Sequence, residues 1–261
     1  MIRLSVALIA HNEEANMGGA LASVAWAEQI VVVDCASTDR TAEIARTHSA
    51  VLLTAPNYPN LNINKNLAID ACNGDWILVL DADEVVSDDL AGEIRYAINN
   101  LGYSGYFIPR RNIVLGKWLR YGGQYPDWQL RLFKRGSGRF PARHVHERLE
   151  VVGRIGRLAR PLEHHPYPSI AKMMQKSVFY VDFEADFLQQ SGYPISTFNL
   201  LTQLLLKSPL RFCRRYILKG GFLDGIPGLA AAYFDQWNQT VRWLKLWDEA
   251  RRARLTNRVQ S

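Results

Sequence analysis

Three short acidic clusters in the first hundred positions each close a run of apolar residues. Ala10-His11-Asn12-Glu13-Glu14 ends the run 4–10. Asp34, with Ser37-Thr38-Asp39 behind it, ends the run 30–33, and Asp81-Ala82-Asp83-Glu84 ends the run 76–80. Carboxylates at i and i+2, as in Asp81 and Asp83, can share one hard divalent cation or divide between a metal and a ribose hydroxyl. Mg²⁺ or Mn²⁺ suits such a pair, because a cation of this kind takes one or two carboxylates and fills its shell with substrate phosphate oxygens. The competing account is helix capping, since Ser87 and Asp88-Asp89 also precede a helical pattern. Capping explains Ser87 to Asp89 and leaves Asp81 and Asp83 over. Lys65, in Asn64-Lys65-Asn66, opens a helical pattern. A cation reinforced by a helix N-terminus suits a diphosphate, although on spacing alone an exposed lysine explains Lys65 equally well.

These residues act together only if the chain sets the strand ends side by side. Runs at 4–10, 30–33, 50–53 and 76–80 have the length and composition of buried strands, and stretches at 13–24, 38–48, 63–71 and 88–99 are amphipathic with helical period. Asn12, Ser37 and Ser87 stand where N-caps are wanted. Strand alternating with helix predicts a mainly parallel α/β sheet covered on both faces, with ligands outside the carboxyl ends of its strands. No GxGxxG follows the first strand and no P-loop glycine spacing occurs, which counts against a dinucleotide oxidoreductase and a P-loop kinase.

Beyond position 105 the pattern turns to short strands, aromatics and Gly/Pro turns. Residues 161–168, with His164 and His165 among prolines, read as a connector. Residues 169–190 and 196–251 read as mostly helical, with breaks at Pro209, Gly220-Gly221 and Pro227. The expected division is a catalytic domain over 1–160 and a C-terminal helical region over 161–261. The 261 residues carry 31 Lys and Arg against 25 Asp and Glu, a formal charge of +6, with basic residues concentrated from Arg211 onward. Such a face suits phosphates or an anionic membrane surface, and nothing in the pattern points to nucleic acid. Three scattered cysteines without a CxxC pair fit a reducing compartment and argue against a disulfide framework or structural zinc. With no signal-peptide pattern and no long apolar run, the expected location is the cytoplasm, with peripheral contact to the inner membrane face.

The motifs 5–14, Val31-Val32-Val33-Asp34 with Ser37-Thr38-Asp39, Lys65-Asn66 and Asp81-Ala82-Asp83, in this order and spacing, resemble the family 2 glycosyltransferases of GT-A fold over about the first 150 residues. The resemblance implies that Ala10, His11 and Glu13 line a nucleoside pocket and that Asp34 binds the base. It also implies Lys65 near the nucleotide, Asp81 near the ribose and Asp83 on the metal. Tyr121-Gly122-Gly123, the run 126–133, His144-Val145-His146-Glu147 and the run 219–225 are similar to the lipopolysaccharide core β-glucosyltransferase subgroup. That likeness implies UDP-glucose as donor and an inner-core heptose of a lipid-linked glycan as acceptor.

An inverting transferase needs a base for the acceptor hydroxyl. Asp127 is the candidate: it stands where the family carries an acidic pair, here with Pro126 in place of the first acid. Glu147 is the alternative, and His146 beside it could complete a metal shell. The bland account of these acids is ion pairing with Arg131, Arg143 or Arg148. Gln239-Thr240-Val241-Arg242-Trp243 fits the QxxRW pattern of processive synthases, but it lies far beyond the catalytic region with no spanning helices, so chance explains it better. Residues 198–255 interleave aromatic and aliphatic residues with Arg and Lys. This pattern fits a helix lying in a membrane interface or, as is commoner, a stripe packed on its own domain. Two other functional classes stay open: the same donor chemistry on a polyprenyl phosphate or protein acceptor, and a non-catalytic protein that binds nucleotide sugars and docks on membranes.

Overall fold

Alternate residues of the first strand face opposite ways, and both sets are apolar but for Ser5, so this strand must lie inside a sheet covered on two sides. A computed structural model, describing residues 2–100, 102–141, 148–191 and 196–259, has this arrangement. The chain forms two compact units, residues 1–111 with 126–165 and residues 112–125 with 166–261.

In the first unit, strands β1 (Leu4–Ala10), β2 (Gln29–Asp34), β3 (Val51–Thr54) and β4 (Trp76–Asp81) run parallel in the order β3-β2-β1-β4. Val6 and Leu8 pack on one face with Met17 and Leu21 of α1 (Glu14–Ser23) and with Leu90 and Ile94 of α4 (Asp88–Ile98). Ala7, Val31 and Val79 pack on the other face with Ala68 and Ile69 of α3 (Leu61–Asp70). The α2 helix (Thr41–Thr47) joins β2 to β3, and a two-residue strand β5 (Glu84–Val85) follows β4.

The sheet continues past β4 in mixed sense, with β8 reversed and β6 running again in the direction of β4. β6 (Gly105–Val114), which begins in this unit, is followed by the short β7 (Lys117–Trp118) of the second unit and then by β8 (Asp127–Lys134). β8 pairs antiparallel with both β4 and β6, setting Leu78 against Leu132 and Arg110 against Asp127. β9 (Gly138–Arg139) and β10 (Glu150–Val151) form a separate ribbon, and β11 (Ile155–Arg157) runs beside β6. Residues 161–168, expected as a connector, instead contain β12 (Leu162–Tyr167), which places His164 opposite Glu84 of β5. Pro161 and Pro168 flank this strand and only Pro166 falls inside it, near its end. Buried Leu162 anchors it, and the His165 amide donates to the Asp83 carbonyl at 2.8 Å.

Helix starts differ from expectation at three places. Ser87 does cap α4, accepting from the Leu90 amide at 3.3 Å. Asn12 and Ser37 cap nothing, because α1 and α2 begin later, after Glu13 and Arg40. The third helix begins at Leu61, where the Asn60 side chain accepts from the Asn62 amide at 3.1 Å, so Lys65 lies in its second turn and does not open it.

In the second unit, α5 (Ile170–Gln190), capped by Ser169, packs on the long α8 (Gly225–Val259) around Ala185, Leu200, Trp243 and Leu246. Between them, α6 (Thr197–Leu201) and α7 (Ser208–Cys213) are joined and followed by wider i→i+5 turns at Thr202–Lys207 and Arg214–Leu218. The helical path therefore passes Pro209, which follows the wider turns at Thr202–Lys207, and Pro227, which sits in the first turn of α8, where the missing N–H is not needed. The chain does break at Gly220, at φ 67°, where it turns into the one-turn segment Gly221–Asp224. A side chain at Gly228 would run into the Gly221 carbonyl, so these two turns approach to backbone contact. Buried Asp224 accepts from the Tyr121 amide at 2.9 Å, and the Gly122 amide donates to the Lys219 carbonyl at 2.9 Å. Runs 121–123 and 219–225 thus build one another. In the QxxRW-like run, Trp243 is core, Arg242 pairs with Glu184 and Gln239 reaches Gln203 at 3.3 Å, so this motif holds helices together.

Candidate functional site

Parallel pairing fixes which strand ends meet. Ala10 is in register with Asp34 and Ile9 with Asp81, so the carboxyl ends of β2, β1 and β4 present His11, Asp34 and Asp81 along one edge of the sheet. The loops after β1 and β2 are laced together. The Cys35 amide donates to the Ala10 carbonyl at 2.8 Å, and His11 Nδ1 lies 2.7 Å from the Cys35 carbonyl. A carbonyl can only accept, so in this contact Nδ1 is the donor. The Asn12 amide donates to Ser37 Oγ at 3.0 Å and the Thr38 amide to Asn12 Oδ1 at 2.8 Å. This is what Asn12 and Ser37 do in place of capping. Asn12 takes a left-handed backbone at φ 53°, a conformation that Asn tolerates better than most residues. Glu13 donates its amide to Thr41 Oγ1 at 2.8 Å and faces Asn16 with its carboxylate at 2.7 Å. Asp34 is nearly buried and accepts from the Ser37 amide at 3.3 Å. Ala10, His11, Glu13 and Asp34 therefore stand together.

A line of alternating charges runs from this edge across the antiparallel strands. Lys65 Nζ lies 2.9 Å from one Asp81 oxygen, and Arg131 takes the other. Arg131 also reaches Glu84 at 2.7 Å, Arg110 lies 3.5 Å from Glu84, and Arg110 contacts Asp127 at 2.7 Å. Gln129 donates to the second Asp127 oxygen at 2.7 Å. Three cations and three carboxylates alternate without excess, which is the arrangement that lets a fully buried carboxylate such as Glu84 persist. Burial alone would raise the Asp81 carboxyl, but Arg131 and Lys65 outweigh it and hold it well below the usual carboxylate range. Burial would likewise lower the Arg131 guanidinium, and Asp81 and Glu84 reverse that and raise it. In Arg110 the same opposition, with Glu84 and Asp127 against burial and Arg131, ends in a raised value. Buried Asn66 ties the helix that carries Lys65 to the opposite strand region, exchanging bonds of 2.9 and 3.1 Å with the Phe140 backbone.

Asp83 lies beyond Asp81, with its Oδ1 atom 3.5 Å from His164 Nε2. Among the described residues no group of three or more His, Cys, Asp or Glu side chains could hold a metal by itself. One carboxylate and one imidazole at this separation do fit a cation that draws its remaining ligands from substrate phosphates and water. Both oxygens of Asp81 already face cations. His165, the next residue, is lowered by burial and by neighbouring His164 and Arg111, with Asp83 opposing. Glu147 and His146 lie outside the described residues.

Glu84, Arg110 and His164 do not stand out in the sequence, and Arg131 enters there only as an ion-pair partner for Asp127 or Glu147. Their signal is weak for a physical reason: each acts through a cross-strand pairing whose partner is tens of residues away. The one cue was Glu84 directly after Asp81-Ala82-Asp83. The predicted site residues line none of the small cleft in the second unit, whose walls include Tyr121, Gln124, Arg215 and Asp224.

Residues 5–179 match the sequence profile described as Glycosyl transferase family 2. A glycosyltransferase of Rickettsia prowazekii (strain Madrid E) is 29% identical over 247 residues, 87% of this chain and 82% of that protein. The lipopolysaccharide core biosynthesis glycosyltransferase LpsC of Rhizobium meliloti (strain 1021) is 26% identical over 246 residues, 88% of this chain and 89% of its own length. Among solved structures, S. aureus TarS 1–349 aligns with 97% of this chain and 92% of that chain, at 15% identity and a TM-score of 0.49.

Proposed function

Because this chain belongs to glycosyl transferase family 2, we propose that it is an inverting hexosyltransferase that moves glucose from UDP-glucose to a hydroxyl of a lipopolysaccharide inner-core saccharide. The observation that carries this reading is the Asp81 carboxylate, held ionised between Lys65 and Arg131 at a strand end in register with the ends that bear His11 and Asp34. A relative named for lipopolysaccharide core biosynthesis supports the acceptor class.

In this reading Ala10, His11 and Glu13 border the nucleoside, Asp34 meets the base, and Asp81 meets the ribose. Lys65 sets a positive charge beside the diphosphate. Asp83, with His164 in the place once expected of His146, would hold Mg²⁺ or Mn²⁺. Bound there, the cation supplies neutralising charge for the departing diphosphate. Asp127 takes the proton of the acceptor hydroxyl as its oxygen bonds to the anomeric carbon and the bond from that carbon to the diphosphate breaks. Arg110 and Gln129 each hold one side of the Asp127 carboxylate and fix its direction. A lipid-linked acceptor places the reaction at the cytoplasmic face of the inner membrane.

The test is a UDP-release screen over donor sugars with truncated core oligosaccharide, Mn²⁺ or Mg²⁺, and a chelator control. Release from UDP-glucose that needs both acceptor and cation is expected, with Asp127→Asn lowering the rate about 10²- to 10⁴-fold. No release from any UDP-sugar by the folded protein would leave a binding protein. Full activity of Asp127→Asn would point to a phosphate acceptor, which needs no base.

A further inference from the structure

In a water-soluble helix the apolar stripe turns inward, but in the helical segment 196–226 of the second unit much of it does not. The side chains this segment buries include Gln203, Ser208 and Asp224, with Leu200 the buried aliphatic one. The side chains it shows to solvent include Phe198 (78% exposed), Leu205 (73%), Leu218 (81%) and Ile226 (72%), with Leu206, Leu210, Ile217 and Phe222 also exposed. The wider i→i+5 turns at Thr202–Lys207 and Arg214–Leu218 contain several of these positions. Isolated exposed leucines need no explanation, whereas a run of large apolar residues on one surface segment marks an interaction site.

The charges on the same segment identify the partner. Residues 196–226 contain Lys207, Arg211, Arg214, Arg215 and Lys219 against a single acid, Asp224, which is buried. Asp235 neutralises part of this excess, with Arg211 at 2.9 Å and Arg215 at 2.8 Å. Lys207, Arg214 and Lys219 make no ion pair among the described residues, and all three are exposed among the bare leucines. An apolar surface dotted with cations fits an anionic bilayer, where side chains such as Leu and Phe enter the acyl boundary and Lys and Arg meet the phosphates. A second copy of this surface would bring like charges together. No helix among the described residues is long and apolar enough to cross a membrane, so the segment would lie in the interface.

We propose that the segment 196–226 is a membrane-docking surface that inserts Phe198, Leu205, Leu206, Leu218 and Ile226 into an anionic phospholipid bilayer, with Lys207, Arg214 and Lys219 at the headgroups. This surface stands on the exposure and charge of the segment and does not depend on which sugar or acceptor the first unit uses. Its test therefore involves no transferase assay.

The full chain is mixed with sucrose-loaded vesicles of phosphatidylcholine, with and without phosphatidylglycerol, and sedimented. Binding is expected to phosphatidylglycerol vesicles at about 0.1 M salt and to weaken strongly near 1 M, where the screening length falls to about 3 Å. Each lysine or arginine near an anionic surface is worth about five-fold in affinity, so K207Q/R214Q/K219Q should lose about 100-fold. L205S/L218S should lose about ten-fold or more per inserted leucine, with circular dichroism and melting unchanged because both side chains start in water. The proposal is overturned if the wild type fails to bind phosphatidylglycerol vesicles at the lower salt. Equal binding by folded variants and wild type would do the same. So would a dimer in light scattering that L205S/L218S converts to monomer, since a second copy would then cover this face.

Discussion

Replacing Arg131 with methionine removes the cation that stands between Asp81 and Glu84. Glu84 is fully buried and Arg131 nearly so, and their charged atoms lie 2.7 Å apart. Removing one member of a buried pair leaves the other uncompensated, at about 3–5 kcal/mol. Here the lower end applies, because Glu84 keeps Arg110 at 3.5 Å and the Asp81 amide at 2.9 Å. For a chain of this size about 3 kcal/mol corresponds to a fall of about 6–12 °C in melting temperature. Glu84→Leu with Arg131→Met replaces both charges by apolar groups of similar bulk, and such exchanges are often neutral or better. The double variant should therefore melt near the wild type. Titration calorimetry with UDP separates stability from binding: both variants lack the guanidinium on Asp81, so both should bind more weakly, including the one whose stability has returned. Two results would refute the reasoning. One is an Arg131→Met protein within about 1 kcal/mol of wild type. The other is a double variant that melts no higher than the single one.

Asn12→Ala keeps the left-handed backbone but loses the bond to the Thr38 amide. A strain of about 1 kcal/mol and a lost bond of similar size predict about 2 kcal/mol of destabilisation by urea titration, with weaker UDP binding as the two loops part. For the thiols, burial pushes Cys72 up to about 12, against a weak opposing bond with Ser5, and burial also raises Cys35, while Cys213 is exposed. A thiol raised on folding contributes stability that is present below its unfolded value and lost as pH rises through its folded one, so stability should decline from about pH 9 upward. At pH 8 an aromatic disulfide reagent should titrate one fast thiol in the native protein and three in denaturant. Three fast thiols in the native protein would contradict the burial of Cys35 and Cys72.

The parallel half of the sheet, the cap at Ser87, the family and the acidic clusters at the strand ends are all legible in the order of amino acids. Those features are written locally: buried strands read as continuous apolar runs, caps sit within three residues of the amide they satisfy, and parallel crossovers make consecutive strand ends neighbours. What Asn12 and Ser37 do emerges on folding, because their bonds cross between loops that follow different strands. Folding also makes residues 161–168 a strand that brings His164 to Asp83, and it sets Lys65, Asp81, Arg131, Glu84, Arg110 and Asp127 in one line of charge. Composition likewise placed apolar and basic residues on the terminal helices without saying which way they face. Packing settles that, because side chains that are far apart along the chain compete for the same buried space, and on the segment 196–226 Gln203 and Ser208 occupy it while Leu205 and Leu218 remain outside.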